Sequence, residues 1–394
     1  MPRAACGLIA DDLTGALDAG APFLRAGLRA ALPFSGDPAA VPLAGVVLLN
    51  TETRESDPQR AADLTREAAQ RLRAWGVQRV YKKIDSVLRG HPGPELAAVL
   101  DVFGGRALVA PAFPAQGRTT LGGVQHVHGH AVQRFGGRLD LALQEAGGRI
   151  DVQDALTDAD LARVARQGAG DPQVRVWCGS AGLAAYAAAA WGLAPGAPAG
   201  TGGAEGAGPF TEAEPRRAAP ARVCVVAGSG HEATARQLDA LLAAGWPSRR
   251  LAPFPGGADP EEVARWVGSS TAPGGVVVSF GAGLDGAQRA ALLAVPPATP
   301  RQLLDLLRRF GRALSPATRA PGLGLILTGG ETALTVCRAM GGTSIEVLGE
   351  ALPGAPLGVL RGPGWEVPLV TKSGGFGAPD ALLRTAEALL GSLG

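Results

Sequence analysis

The sequence predicts an α/β protein made of two lobes, each with a mostly parallel sheet, joined by a Gly/Ala/Pro-rich linker. Three observations carry that expectation. Short runs rich in Val, Ile and Leu alternate with longer Ala/Leu/Arg stretches of helical period, the pattern of parallel strands joined by helical crossovers. The alternation breaks over residues 192–221 around "LAPGAPAGTGGAEGAGPF", which has neither period, and then resumes. The chain is 394 residues long, enough for two or three domains at roughly 100–200 residues each.

The first lobe, residues 1–191, reads as strands at Cys6–Ala10, Ala30–Phe34, Gly45–Asn50, Val77–Tyr81, Ala107–Ala110 and Val174–Trp177. Helical stretches lie between them near 13–26, 58–75, 93–102, 158–167 and 180–191. After the linker, the second lobe, residues 222–394, repeats the scheme. Its strands are expected near 222–227, 275–280, 323–328, 345–349 and 367–371, with helices near 231–244, 259–268, 299–314, 331–340 and 378–391. A cleft between two such lobes is the default place for a ligand.

Composition removes several classes. Hydrophobic residues are 46% of the chain, so a disordered protein is excluded despite 58 Gly and 31 Pro. The 37 basic and 35 acidic side chains nearly cancel, leaving +2 and no electrostatic footprint for nucleic acid or an anionic membrane. The apolar run Ala4–Ala10 is too short for a secretion signal, and Leu183–Ala194 falls short of the ~20 residues that span a bilayer. Cys6, Cys178, Cys224 and Cys337 lack any zinc or redox spacing and read as buried reduced thiols. A soluble cytoplasmic protein is expected. Only Lys82, Lys83 and Lys372 are lysines, so those positions stand out as places that need an ammonium.

Chemistry-bearing residues gather where strands end. In "LIADDLTGALDAGAPFLRAG", Asp11 and Asp12 follow an apolar strand and precede a helix with Thr14 and Gly15. That is where open α/β sheets collect ligands, although one of the pair can serve simply as a helix cap. In "YKKIDSVLRGHPGPELAAVL", Lys82, Lys83, Asp85, Ser86, Arg89 and Gly90 crowd into one turn, offering donors for a carboxylate or phosphate and an acceptor for a hydroxyl proton. Arg54 in "NTETRES" and Arg118 in "APAFPAQGRTTLGG" are further cations at strand ends. The triplet His126, His128, His130 would share one face of a continuous strand, but with no acidic or Cys partner nearby a polar hairpin is preferred over a metal site.

The second lobe carries three Gly-rich strand-to-helix turns: Gly228–Ser229–Gly230, then Thr328, Gly329, Gly330, Glu331 and Thr332, then Lys372 with Ser373, Gly374 and Gly375. Free amides at such turns bind phosphate oxygens. Neither a P-loop nor the signature set of protein kinases is present.

With these six segments in view, the chain resembles the four-carbon acid sugar kinase family. "IADDLTGALDAG", "KKIDSVLRG" and "PAFPAQGRTT" look like its substrate-domain motifs, and "GSGHEATARQL", "TGGET" and "KSGGFG" like its nucleotide-domain motifs. Two positions depart: His231 stands where a small hydroxyl residue is usual, and Glu331 where the family has Asp. The stretch between His130 and Trp177 also looks shortened. The resemblance implies phosphorylation of the terminal hydroxyl of threonate, erythronate or 3-oxo-tetronate by ATP with Mg2+. It implies Asp12, then Asp85, as the acidic group at that hydroxyl, and Lys83 or Lys82 at the transferring phosphoryl. Asp11, Thr14, Arg54, Lys82, Ser86, Arg89, Gly90 and Arg118 would hold the sugar acid. Ser229, Thr328, Gly329, Gly330, Glu331, Thr332, Lys372, Gly374 and Gly375 would hold ATP. No protein metal ligand is assigned, the expected partners are the sugar acid and ATP, and a homodimer stays open. A non-catalytic sugar-acid or nucleotide sensor, or a kinase for another small sugar acid, remains as an alternative.

Overall fold

The structure is a computed structural model describing residues 4–40, 45–134, 148–193, 219–251, 257–280, 300–318 and 322–391. It divides into two compact units, Met1–Thr211 and Glu212–Gly394. Most of the expected linker, and the shortened stretch after His130 in part, lie outside the described residues.

Unit 1 is built on a parallel sheet of β1 (Cys6–Ala10), β2 (Ala30–Pro33), β3 (Val46–Asn50), β4 (Val80–Lys83), β5 (Arg106–Ala110), β9 (Ile150–Val152) and β10 (Val174–Gly179). Their spatial order is β2-β3-β1-β4-β10-β5-β9. The strands read as apolar runs rather than alternations because helices cover both faces. On one face lie α2 (Pro58–Ala74) and α3 (Pro92–Phe103), whose Leu72, Leu96, Val99 and Leu100 pack with Ile9, Val47, Leu49 and Val109. On the other lie α1 (Leu13–Gly20), its 3-10 extension Ala21–Ala26, and α5 (Ala181–Ala190), against which α4 (Asp158–Gly170) packs.

The helices start where local chemistry allows. Asp57 accepts from Arg60 N ahead of Pro58, Ser180 accepts from Gly182 N, and Thr157 with Asp160 forms a capping box. A small antiparallel sheet of β6 (Arg118–Leu121), β7 (Val124–Val127) and β8 (His130–Arg134) completes the unit. It divides the three histidines: His126 is on β7, His128 is in the turn at φ +47°, and His130 opens β8. They therefore share no strand face, and among the described residues no His/Cys/Asp/Glu group could hold a metal ion.

Unit 2 orders β11 (Arg222–Ala227), β12 (Ser248–Arg250), β13 (Gly275–Ser279), β14 (Leu323–Thr328), β15 (Ser344–Leu352), β16 (Ala355–Gly362) and β17 (Trp365–Lys372) as β12-β13-β11-β14-β17-β16-β15. The pairings from β12 to β17 are parallel and the two involving β16 antiparallel. Its helices are α6 (Glu232–Ala243), α7 (Pro260–Ser269), α8 (Pro300–Thr318), α9 (Gly330–Ala339) and α10 (Ala381–Gly391). Val225, Ile326 and Val370 from three neighbouring strands meet Leu238, Leu382 and Leu389 in its core.

All four cysteines are buried free thiols, and burial pushes Cys6, Cys178 and Cys224 up to about 12. No helix among the described residues is long and apolar enough to cross a membrane. One packing detail is severe. A Cβ on Gly179, at the end of β10, would stand 2.4 Å from the Ala110 carbonyl oxygen and 3.1 Å from the Leu183 Cβ. Gly179→Ala should therefore destabilise unit 1 by about 1–3 kcal/mol, seen as a lower urea midpoint for its unfolding.

Candidate active site

The parallel register of unit 1 pairs Ala10 with both Asn50 and Lys83, so the turns after β3, β1 and β4 leave the sheet at one level. The chain leaves β1 for β2 on one side and reaches β4 on the other, the kind of switch point at which α/β sheets open a crevice. Asp11–Asp12, Thr51–Arg54 and Asp85–Arg89 are carried there together.

Arg54 ties them into one cluster. Its Nε donates to Asp11 Oδ2 and its Nη2 to Asp11 Oδ1, both at 2.8 Å, while Nη2 also reaches Asp12 Oδ1 at 2.8 Å. Its Nη1 stands 3.8 Å from Asp85 Oδ2. Two adjacent carboxylates would repel each other without this fork. Burial pushes the Asp11 carboxyl up, but Arg54, with Lys82 and Lys83 beyond it, outweighs burial and holds the group below the usual carboxylate range. Asp12 is both ligand and cap: it accepts from Gly15 N at 3.0 Å and from Thr14 Oγ1 at 2.6 Å.

Asp85 is wrapped by its own turn. Its Oδ1 accepts from Val87 N at 2.9 Å and Arg89 N at 3.3 Å, and its Oδ2 from Arg89 Nη2 at 2.7 Å. Burial opposes ionisation there, and Arg54 and Arg89 overcome it, holding the carboxyl far below the usual range. Leu88 at φ +65° and Gly90 at φ +80° bend this turn. Gly90 is needed for closeness as well, since a Cβ would lie 3.1 Å from Asp11 Oδ2. Ser86 is buried, and its carbonyl accepts from Gln125 Nε2 at 2.7 Å, which anchors the small sheet to the turn. Arg118 starts that sheet within electrostatic reach of Asp85 and Arg89, and burial lowers its pKa. The Arg89 side chain is 54% exposed, the most open of these cations.

Lys82 and Lys83 occupy adjacent positions on β4 and therefore point to opposite faces. Lys83 goes toward α1, with Nζ 3.0 Å from where a Gly15 Cβ would be. Lys82 goes toward α3 and is fully buried: its Nζ meets Glu95 Oε2 at 2.7 Å and donates to Lys83 O at 2.9 Å. Glu95 and Thr53, absent from the sequence reading, thus join the site. The signal was present, since Glu95 lies one helical turn before Ala98 and Val99, on the face that α3 buries.

In unit 2 the register pairs Ala227 with Thr328 and Thr328 with Lys372, which brings all three Gly-rich turns to one level. They interlock. Gly329 N donates to Lys372 O at 2.9 Å, Thr234 Oγ1 to Gly374 O at 2.8 Å, and Gln237 Nε2 to the carbonyls of Phe376, Gly377 and Ala378. Gly374 permits the closest approach, because a Cβ would sit 2.0 Å from Ser229 Oγ. His231 caps the helix that follows the first turn: its Nδ1 accepts from Ala233 N at 3.2 Å. Gly330 and Thr332 stand in the first turn of α9, with Glu331 exposed beside them. Lys372, 2% exposed, donates to the Ser373 and Phe376 carbonyls, each at 2.7 Å.

Residues 6–140 match the family model of a sugar-binding N-terminal domain, and residues 224–382 that of a nucleotide-binding C-terminal domain. A D-threonate kinase of Bordetella bronchiseptica is 34% identical, with 97% of each chain aligned. This chain belongs to the four-carbon acid sugar kinase family. A D-erythronate kinase of Heliobacterium modesticaldum is 28% identical over 97% of this chain and 96% of its own. A 3-oxo-tetronate kinase of Pseudomonas fluorescens is 26% identical over 99% and 98%. The fold recurs in a crystal structure from Salmonella typhimurium LT2 with a TM-score of 0.73 at 23% identity, covering 96% of this chain and 98% of that one. As a four-carbon acid sugar kinase the chain is a phosphotransferase, and its two matched domains contain the two clusters described above.

Burial lowers the Lys372 ammonium from 10.5 to about 8. Below pH 8 the group is charged in folded and unfolded chains alike, so the cost of burying it is fully present. Between about 8 and 10.5 the folded chain has released the proton and the unfolded chain has not, so that cost shrinks as pH rises. The stability of the parent relative to Lys372→Met should therefore rise between about pH 8 and 10.5 and stay flat below pH 8, measured by urea unfolding across that range.

Proposed function

We propose that this chain transfers the γ-phosphoryl group of ATP to the terminal 4-hydroxyl of a four-carbon sugar acid, with threonate, erythronate and 3-oxo-tetronate as the candidate acceptors. The observation that carries this reading is the Arg54-centred carboxylate cluster of unit 1, in the domain matched as sugar-binding. Three interlocked amide-rich turns in the domain matched as nucleotide-binding also support it.

Phosphoryl transfer needs positioning and charge neutralisation more than covalent chemistry. Asp12 suits the role of orienting and deprotonating the hydroxyl better than Asp85. Both carboxylates accept three hydrogen bonds, but Arg54 and Arg89 hold the Asp85 carboxyl far below its usual pKa, which makes it a weak base. Arg54 is committed to Asp11 and Asp12, so it holds the pair in place while Arg89 and Arg118 receive the acid's carboxylate. Lys83 stands beside the first turn of α1, next to Asp12, where an ammonium offsets phosphoryl charge. Ser229, the Thr328–Thr332 turn and Lys372–Gly375 hold ATP through amides, hydroxyls and the Lys372 ammonium.

Magnesium neutralises phosphate charge in such reactions. The three turns are rich in amides and poor in carboxylates, with Glu232 and Glu331 both exposed at helix starts, so the ion would be held chiefly by ATP phosphates and water.

The deciding experiment incubates the protein with ATP, Mg2+ and a panel of four-, five- and six-carbon acids and measures ADP. ADP release with a four-carbon acid, and its new phosphate on O4 by NMR, is expected. Ligand binding with no ADP from any acid would make the protein a sensor instead. Asp12→Asn should lower turnover by about 10²–10⁴-fold with ATP binding unchanged by calorimetry. Gly15→Ala should stay folded and lose activity too, because the new Cβ would lie 2.4 Å from Asp12 Oδ1 and 3.0 Å from Lys83 Nζ, displacing both groups.

A further inference from the structure

Below the Arg54 cluster lies a second polar group that no ligand-binding role explains. Glu95 and Lys82 are both buried inside the apolar layer between β4 and α3, and their 2.7 Å ion pair has no route to solvent. A buried ion pair is a poor choice for stability alone, since two apolar side chains of similar volume generally serve as well or better. Its position suggests another purpose.

The second oxygen of Glu95, Oε1, accepts the hydroxyl of Thr53 in a short hydrogen bond. Thr53 Oγ1 also lies 2.8 Å from Thr51 Oγ1, which in turn donates to Ala10 O at 3.0 Å. Thr53 and Arg54 both direct their backbone N–H groups at Asp11 O, at 3.1 and 3.3 Å. Between the two threonines, Glu52 takes φ +56°, a left-handed conformation that a non-glycine residue adopts only when its surroundings hold it there. The turn that presents Arg54 is therefore strained, short and pinned from below.

We propose that Glu95 is a positioning residue for the kinase reaction: through Thr53 it locks the Thr51–Arg54 turn so that the Arg54 fork meets Asp11 and Asp12, while Lys82 balances its charge. Lys82 then acts beneath the site and not on the sugar acid, a different role from the ligand contact expected of it. Glu95 touches neither substrate nor reacting atoms. The chain of contacts runs Lys82, Glu95, Thr53, Arg54, then the carboxylates.

The turnover arm of the test rests on the kinase reading above, so a second arm is independent of it. Thr53→Val removes the hydroxyl at nearly constant volume and leaves the Lys82–Glu95 pair intact; Thr53→Ser keeps the hydroxyl. Thr53→Val should lower kcat/KM for the sugar acid by about 10- to 100-fold with KM for ATP unchanged, and Thr53→Ser should restore most of it. Glu95→Gln, which removes the carboxylate paired with the Lys82 ammonium, should fall in the same direction. In the independent arm, modification of Arg54 by phenylglyoxal, followed by peptide mass spectrometry, should be faster in Thr53→Val than in the parent and Thr53→Ser. If the parent releases no ADP with any acid, the kinase reading fails while the labelling arm still decides this one. Parent-like Arg54 labelling in Thr53→Val, or parent-like kcat/KM in an active enzyme, would overturn the proposal.

Discussion

One guanidinium organises unit 1. Arg54 accepts the cost of being nearly enclosed because three carboxylates surround it, and those carboxylates tolerate one another because Arg54 lies among them. Remove the cation and Asp11, buried at 2% exposure, is left as an unpaired charge next to Asp12. The turns after β1, β3 and β4 would lose the tie that makes them one surface. Everything attributed to the site, from the cap on α1 to the bend at Gly90, is arranged around that contact.

Unit 2 solves a different problem with different means. Among the described residues it has no equivalent knot of opposite charges at its Gly-rich turns; there side-chain amides and hydroxyls donate to loop carbonyls, as Gln237 and Thr234 do. Those carbonyls are thereby occupied by donors from neighbouring elements. Lys372 follows the same logic, held by two carbonyls rather than by an acid. Burial, with no acidic partner among the described residues to oppose it, lowers its pKa.

Much of this was legible in the sequence, for identifiable reasons. β1, β11 and β14 fall where the apolar runs place them, because each run is bounded by an acidic pair, a Gly–Ser–Gly turn or a Gly pair. The sequence pattern places β4 at Val77–Tyr81 and the strand runs Val80–Lys83, since Lys82 and Lys83 look like loop residues until a partner for each is known. β16 escaped notice although Pro353–Gly354 and Pro363–Gly364 mark hairpin turns on either side of it, with Gly354 at φ +79° and Gly364 at φ +75°. β12 is three residues of polar edge strand with no pattern to find. Within the site, residues at strand ends announced themselves by type and place. Glu95 did not, because its meaning depends on Lys82 and Thr53, and only the packing of α3 on β4 brings those together.

The two consecutive lysines of β4 have a consequence for how this strand can change. Alternation assigns each ammonium to a different compartment, one beneath the carboxylates and one beside the start of α1. Insertion of a single residue upstream within β4 would present Tyr81 to Glu95 and Lys82 toward Gly15, and loss of one would present Lys83 to Glu95 and Ile84 toward Gly15, so either change leaves one compartment without its ammonium. Strand length there is constrained as an odd-or-even property, so drift in β4 must proceed by replacement of side chains and not by change in their number.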